Sequence, residues 1–178
     1  MSKQLKNYDY ILSLDPSGSY NEGKGHTGWV IINKKNAILE LGLLTAVTYD
    51  TKQKYWQAHI DLINYFNKNY PNSVVVFEDY LLYATKAKQQ INSKMETPQL
   101  LGILKYHLNQ INKPFKTQMA AEVKKRWDEP ILVWKNILIK KDNNYYIETG
   151  DNHLLKINNH IRDALKHAIH YNTFYNYK

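Results

Sequence analysis

Cysteine is absent from the chain, which excludes disulfides and thiolate-held zinc. No apolar run approaches the ~20 residues that a membrane helix needs, so no membrane partner is expected. The first residues, MSKQLKNYDY, lack the apolar core of a signal peptide, and a cytoplasmic location is the expectation. Acids are the scarcer charge: 16 Asp and Glu against 24 Lys and Arg leave a net charge of +8. Such an excess favours anionic partners, nucleic acid first and an acidic membrane surface second. It is spread along the sequence instead of gathered in a tail, which predicts a basic face on a folded domain. Glycine is also scarce. Four of the seven glycines, Gly18, Gly23, Gly25 and Gly28, fall in one stretch and mark it as a pliable loop.

What is present is enough for a single domain spanning residues 1–178: 178 residues, 43% of them hydrophobic, support one core and little else. Tyr10 to Leu14 reads as a short buried strand that runs into Asp15. Pro16 and Gly18 then open the loop. Trp29 to Ile32 forms a second strand, NKKN a hairpin turn, and Ala37 to Leu43 a third strand. The spacing of Tyr55, His59, Leu62, Ile63 and Phe66 predicts a helix from about Thr51 to Asn69. SVVVFED, a β-branched run, suits a central strand buried on both faces, and it too ends in acid. A second helix begins around Thr97-Pro98, with Thr97 as expected N-cap and Leu100, Leu101, Leu104 and Leu108 on its apolar face. PFKTQM reads as a fifth strand and AAEVKKRW as a short helix, whereas Asp128 to Asn152 shows no readable period. The chain closes on an amphipathic helix from about Ile157 to Phe174. Three meandering strands followed by alternating helices and strands predict a mixed α/β sheet covered on both faces.

Two carboxylates therefore stand at strand ends, Asp15 and Glu78, where open α/β sheets collect ligands. The last helix adds His160 and Asp163, three residues apart and so on one face. Brought together, the three acids and the imidazole would repel each other when empty and would suit divalent cations that prefer oxygen ligands. Paired ions of that kind activate water and stabilise the leaving oxygen in phosphodiester hydrolysis. The alternative for each acid is structural: Asp15 and Glu78 as turn formers or caps, and Asp163 as a solvated residue of an amphipathic helix.

The stretches "LDPSGS…TGWVII", "VVVFEDYLLY" and "HIRDALKHAIHY" resemble the three catalytic motifs of the RuvC family of Holliday junction resolvases, and "KPFKTQMAAEVKKRW" resembles that family's strand followed by a helix with a lysine after valine. The resemblance implies an RNase H-like fold, a mixed five-stranded sheet flanked by helices on both faces. It implies a crossover junction endodeoxyribonuclease in DNA recombination, repair or phage DNA processing. Branched DNA would be the substrate, four-way junctions foremost with forks and flaps beside them, and a homodimer the working unit. Carried over by position, Asp15, Glu78, His160 and Asp163 are the catalytic and metal-holding residues, for two Mg²⁺ or Mn²⁺ ions. His160 stands where many relatives have aspartate, and its nitrogen predicts a preference for Mn²⁺. Lys124 matches the phosphate-contacting lysine, and Lys135 falls where a second would lie.

Tyr80, Leu81 and Tyr83 occupy the segment where the family places a wedge at the junction centre; aromatics covering a sheet edge are the other reading. Lys86, Lys88 and Lys94 suit DNA backbone contacts, with a solvated charged loop as the alternative. Asp79 is expected to point away from Glu78 by strand alternation. His167 and His170 extend the stripe of His160 and are expected at the surface or behind the site, and His26 is a loop histidine without an assigned role. Two rivals stay open: a basic module that holds branched DNA without cutting it, and a nuclease of the same fold for another nucleic acid, such as an RNA–DNA hybrid. The abundance of Lys, Asn, Tyr and Ile points to an AT-rich genome, and the divergent form of the motifs resembles a phage-borne member of the family, which would place the protein in the host cytoplasm.

Overall fold

The computed structural model of the chain describes residues 7–20, 23–80, 95–149 and 153–176. Three antiparallel strands come first: β1 (Tyr10–Asp15), β2 (His26–Asn33) and β3 (Ile38–Thr45). Asn36 turns the β2–β3 hairpin at positive φ, which asparagine tolerates. A single 3₁₀ turn (Ala46–Thr48) leads to α1 (Lys52–Asn69), whose first turn is capped by Thr51 accepting from the Lys54 N–H. Strand β4 (Ser73–Glu78) follows, then α2 (Glu96–Gln110), β5 (Phe115–Gln118) and α3 (Ala120–Arg126). The sheet order is β3-β2-β1-β4-β5, with β1, β4 and β5 parallel to one another. A mixed five-stranded sheet with helices on both faces is the predicted fold.

Strand alternation divides the core. Leu12 and Leu14 of β1 and Val75 and Phe77 of β4 face α1 and α2, where they meet Ile63, Phe66, Leu100, Leu104 and Leu108. Ile11, Val74 and Val76 face the opposite side and meet the closing helix α5 (Asn159–Tyr175) through Ile161, Ala164, Leu165 and Ala168. Five residues of β4 are buried, as a strand covered on both faces requires. Each fully buried leucine here is worth ~2–5 kcal/mol against alanine.

Three local expectations are revised. The stretch without a readable period forms α4 (Glu129–Trp134) and a second, three-stranded antiparallel sheet of β6 (Ile139–Lys141), β7 (Asn144–Glu148) and β8 (Leu154–Ile157). Leu138, Ile147 and Ile157 bury its inner side against the α5 core. Ile157 thus ends a strand instead of opening the last helix, which Asn158 caps by accepting from the Ile161 N–H. Thr97 does not cap α2: the cap is Met95, in the left-handed region, because the Thr97 hydroxyl accepts from the Gly18 N–H at 3.0 Å. The Glu96 carboxylate likewise accepts from the Tyr20 N–H at 2.8 Å, so the start of α2 holds the loop that follows Asp15. Among the described residues no helix is long and apolar enough to cross a membrane.

Candidate active site

The same alternation that buries Ile11 and Val76 decides where the terminal acids point. Asp15 shares the parity of Ile11, and Glu78 that of Val74 and Val76, so both carboxylates project toward α5. In the parallel register Leu14 lies beside Phe77, which puts Asp15 and Glu78 at neighbouring strand ends one residue further on. On the outer sides Asp15 pairs with Gly28 of β2, and Glu78 with Gln118 of β5. Gly28, Asp15, Glu78 and Gln118 therefore make one row across four strands, and α5 lies over it.

Gly28 allows that approach. A Cβ there would stand 2.2 Å from the His160 carbonyl carbon and 2.4 Å from the Ile161 nitrogen, so only glycine lets the first turn of α5 rest on the sheet. The consequence is direct contact: His160 Nδ1 lies 2.8 Å from Asp15 Oδ2. A carboxylate only accepts, so Nδ1 carries the hydrogen and Nε2 keeps its lone pair in the neutral ring. His26, at the start of β2, brings its ring centroid within 5.7 Å of that of His160.

One turn on, Asp163 accepts from two lysines, Lys124 of α3 at 2.9 Å and Lys166 at 3.0 Å. Lys166, only 5% exposed at its side chain, also binds Glu129 at 2.7 Å. A further turn along, the fully buried His167 places Nε2 3.2 Å from Glu78 Oε2 and Nδ1 2.8 Å from Gln118 Oε1. An open cleft lined by Lys124, Arg162, Asp163 and Lys166 adjoins the cluster.

The electrostatics show that these groups feel one another. Burial raises the Asp15 carboxyl above its ordinary range; the His160 hydrogen bond opposes this, and the charges of Glu78 and Asp163 add to it. The Asp15 hydrogen bond raises His160 against the effect of burial. For Asp163, burial pushes upward, but hydrogen bonds from Lys124 and Lys166 outweigh it and hold the carboxyl below the usual range. Burial opposes the charge on Lys124, while Asp163, with Glu78 and Asp15 behind it, keeps its ammonium above the ordinary lysine value.

Three carboxylates from separate elements, with Glu78 and Asp163 both acting on Asp15, fit a hard divalent cation in chemical kind. Among the described residues, however, no three Asp, Glu or His side chains are gathered around one point as they would be around an ion. Asp163 is turned onto lysines, Glu78 onto His167 and Asp15 onto His160, so the positive charge and donors that the cluster needs come from the chain itself.

The other expected site residues are placed as follows. Lys135 stands at the end of α4 with its ammonium over the rings of Trp134 and Trp127, while the second lysine on Asp163 is Lys166. Tyr80 lines a small cleft with Pro16, Glu78, Asp79, Thr97 and Leu101. Leu81, Tyr83, Lys86, Lys88 and Lys94 lie outside the described residues. Asp79 turns to α2, accepting from Lys105 at 3.2 Å. Of the two places expected for His167 and His170, the surface is excluded because both are buried; His167 lies behind Glu78, and His170 meets Glu122 of α3 at 3.5 Å.

No family model and no curated protein matches the sequence. Solved structures do match. The structure of T. thermophilus RuvC in complex with a Holliday junction substrate aligns with a TM-score of 0.62 at 14% identity, over 91% of each chain. A second structure of Thermus thermophilus RuvC aligns with a TM-score of 0.53 at 11% identity, over 90% of this chain and 91% of that one.

The fold is that of RuvC.

Within this RuvC-like fold, sequence reading missed Gly28, Gln118 and Lys166, and left His167 open between the surface and a place behind the site. The seven-residue step from His160 to His167 signals one helix face. Strand parity signals Gln118 only once β5 is known to lie beside β4. Nothing local singles out Lys166, which is one of 24 basic residues until Glu129 and Asp163 close on it.

Proposed function

We propose that the protein is a metal-dependent endonuclease that cuts phosphodiester bonds in branched DNA, four-way junctions foremost, as a homodimer of one-domain subunits. The observation that carries this reading is the row of strand ends: Asp15 and Glu78 stand side by side beneath His160 and Asp163 of α5. Asp15, Glu78, Asp163 and Nε2 of His160 would hold Mg²⁺ or Mn²⁺, two ions per site. Those ions supply the activated water and the stabilisation of the leaving oxygen.

The chain's own groups do the rest. Asp15 fixes the His160 tautomer by accepting a hydrogen bond from Nδ1–H, which leaves Nε2 as a ligand that favours Mn²⁺ over Mg²⁺. Lys124 neutralises Asp163 until a phosphate and cations arrive, then turns to the phosphate. The excess of positive charge holds the polymer, and Tyr80 stands beside Glu78 to meet a base. Two sites related by a two-fold axis match the symmetry of a four-way junction.

The test is incubation of the purified protein with a four-way junction and with linear duplex, each with Mg²⁺ or Mn²⁺. Cleavage of the junction is expected with both ions and is expected to be faster with Mn²⁺. Asp15→Asn, Glu78→Gln and Asp163→Asn are each expected to lose nearly all cleavage while retaining junction binding, which phosphate contacts supply. Retained cleavage in any two of them would remove the proposed site. The lysines closed on Asp163 favour one other reading, a module that holds branched DNA without cutting it. That reading predicts tight junction binding and no cleavage with either ion.

A further inference from the structure

The inner face of α5 is apolar along Ile161, Ala164, Leu165, Ala168 and Ile169, and His167 is one of the few polar residues buried with it, beside Lys166, His170 and Asn172. His167 has no exposed surface, and burying an imidazole costs free energy unless its nitrogens are bonded. A leucine would fill the same position at no such cost, so the two hydrogen bonds explain the residue. Nε2 lies 3.2 Å from Glu78 Oε2. The carboxylate only accepts, so the hydrogen sits on Nε2.

Nδ1 faces the Gln118 amide at 2.8 Å, and Gln118 is fixed beside Glu78 by the β4–β5 register. With Oε1 toward the ring, the Gln118 Nε2 is buried without a partner. Turning that amide over lets its Nε2 donate to the Nδ1 lone pair, the one orientation in which both nitrogens of a neutral ring have partners with the Nε2–H on Glu78. Strand β5 thus holds the ring, and the ring holds one oxygen of Glu78.

We propose that His167 is the positioning residue of Glu78: its Nε2–H pins one carboxylate oxygen against the buried face of α5 and presents the other to the divalent cations of the cleft. The inference rests on the nuclease reading for its purpose, but on the Glu78–His167–Gln118 hydrogen bonds for its geometry. A free glutamate at a strand end samples several rotamers, and each ion bound must then bear the cost of selecting one. A pinned carboxylate is already selected, which tightens cation binding without any contact between His167 and the ion.

The experiment compares the full-length protein with His167→Leu, His167→Gln and His167→Asn, reading Mn²⁺ affinity by electron paramagnetic resonance and junction cleavage alongside. His167→Leu keeps the packing and removes the donor; its Mn²⁺ affinity and cleavage are each expected to fall roughly 10- to 100-fold. His167→Gln places an amide N–H near the Nε2 position and is expected to recover most of that loss. His167→Asn reaches only the Nδ1 position and is expected to recover none. If the leucine variant does not fold, the ratio between the glutamine and asparagine variants carries the same comparison.

Wild-type Mn²⁺ affinity in His167→Leu, or glutamine and asparagine variants alike, overturns the proposal, as does a wild-type protein that binds no Mn²⁺. Failure of the nuclease reading looks different. The wild-type protein then cuts no branched DNA, while the difference in Mn²⁺ affinity between wild type and His167→Leu remains.

Discussion

At the residue scale, buried imidazoles organise both ends of the site. His59 of α1 is the counterpart of His167 on the other face of the sheet. Its Nδ1–H donates to the Tyr55 carbonyl at 2.9 Å, and its Nε2 accepts from the Thr27 hydroxyl at 2.8 Å. The Thr27 oxygen in turn accepts from the Ser17 N–H, and the Tyr55 hydroxyl donates to the Ser17 carbonyl. This network ties down the residue two places after Asp15. Burial lowers the His59 pKa from 6.5 to about 4. A histidine depressed in the folded state stabilises the protein fully above its unfolded pKa. That contribution is lost as pH falls from about 6.5 toward about 4, because the unfolded chain takes the proton first. The loss attributable to His59 is expected to reach ~3 kcal/mol across this window. Urea titrations of wild type and His59→Gln at a series of pH values check it. The gap between the two curves should narrow below pH 6.5; a constant gap would leave His59 with no part in acid lability.

At the element scale, the docking of α5 on β2 assembles the site. Gly28 removes the one side chain that would stand between them, and Asn158 starts the helix where that contact requires it. Gly28→Ala would drive a methyl group into the His160 carbonyl, which is backbone and cannot swing aside. The expected cost is ~1–3 kcal/mol of stability. Cleavage should fall much further than stability, because His160 and Asp163 shift together away from Asp15 and Glu78. Denaturation and junction cleavage measured on the same preparation separate the two effects. Folded protein with wild-type cleavage would show that the close approach is incidental. Gly102, on the exposed face of α2, is the control, since a Cβ there meets nothing within 4 Å.

At the scale of the whole molecule, two properties follow from surfaces. Helix α2 presents Ile103 and Tyr106 to solvent, 36% and 66% exposed, an apolar surface that the second subunit of the proposed homodimer would cover. Sedimentation at micromolar concentration is expected to show a dimer that Tyr106→Glu weakens. A monomer with full junction cleavage would count against the paired-site arrangement. The positive charge is the second property. Removing Lys124 is expected to weaken junction binding and to lower the slope of log affinity against log salt by roughly 0.9, the value for one phosphate contact. Lys54, held by Asp50 on the first turn of α1, should change the slope little when replaced by alanine. Equal slopes for both variants would reduce Lys124 to a share of the net charge.

Much of this molecule is legible from its residues in order. The β-branched run of β4, the leucines of α2 and the stripe of α5 declare their elements because each repeats over several turns or pleats. Asp15 and Glu78 are recognisable as candidate site residues because an acid that directly follows a buried strand needs a positive partner. The rest depended on neighbours distant in the sequence. Strands β6, β7 and β8 span three to five residues each and mix charge with apolar side chains, so only pairing and the α5 core hold them. Thr97 has the chemistry of a helix cap, yet the N–H it accepts belongs to Gly18, 79 residues away in sequence. Lys166 and His167 look like surface residues until strand order places Asp163 against α3, and Glu78 against Gln118 and the helix above it. The sequence by itself determined the long periodic elements and the acids at their ends, because local periodicity and burial act within a few residues. The tertiary structure alone decided which side chains answer those acids, because a hydrogen bond is set by proximity in space.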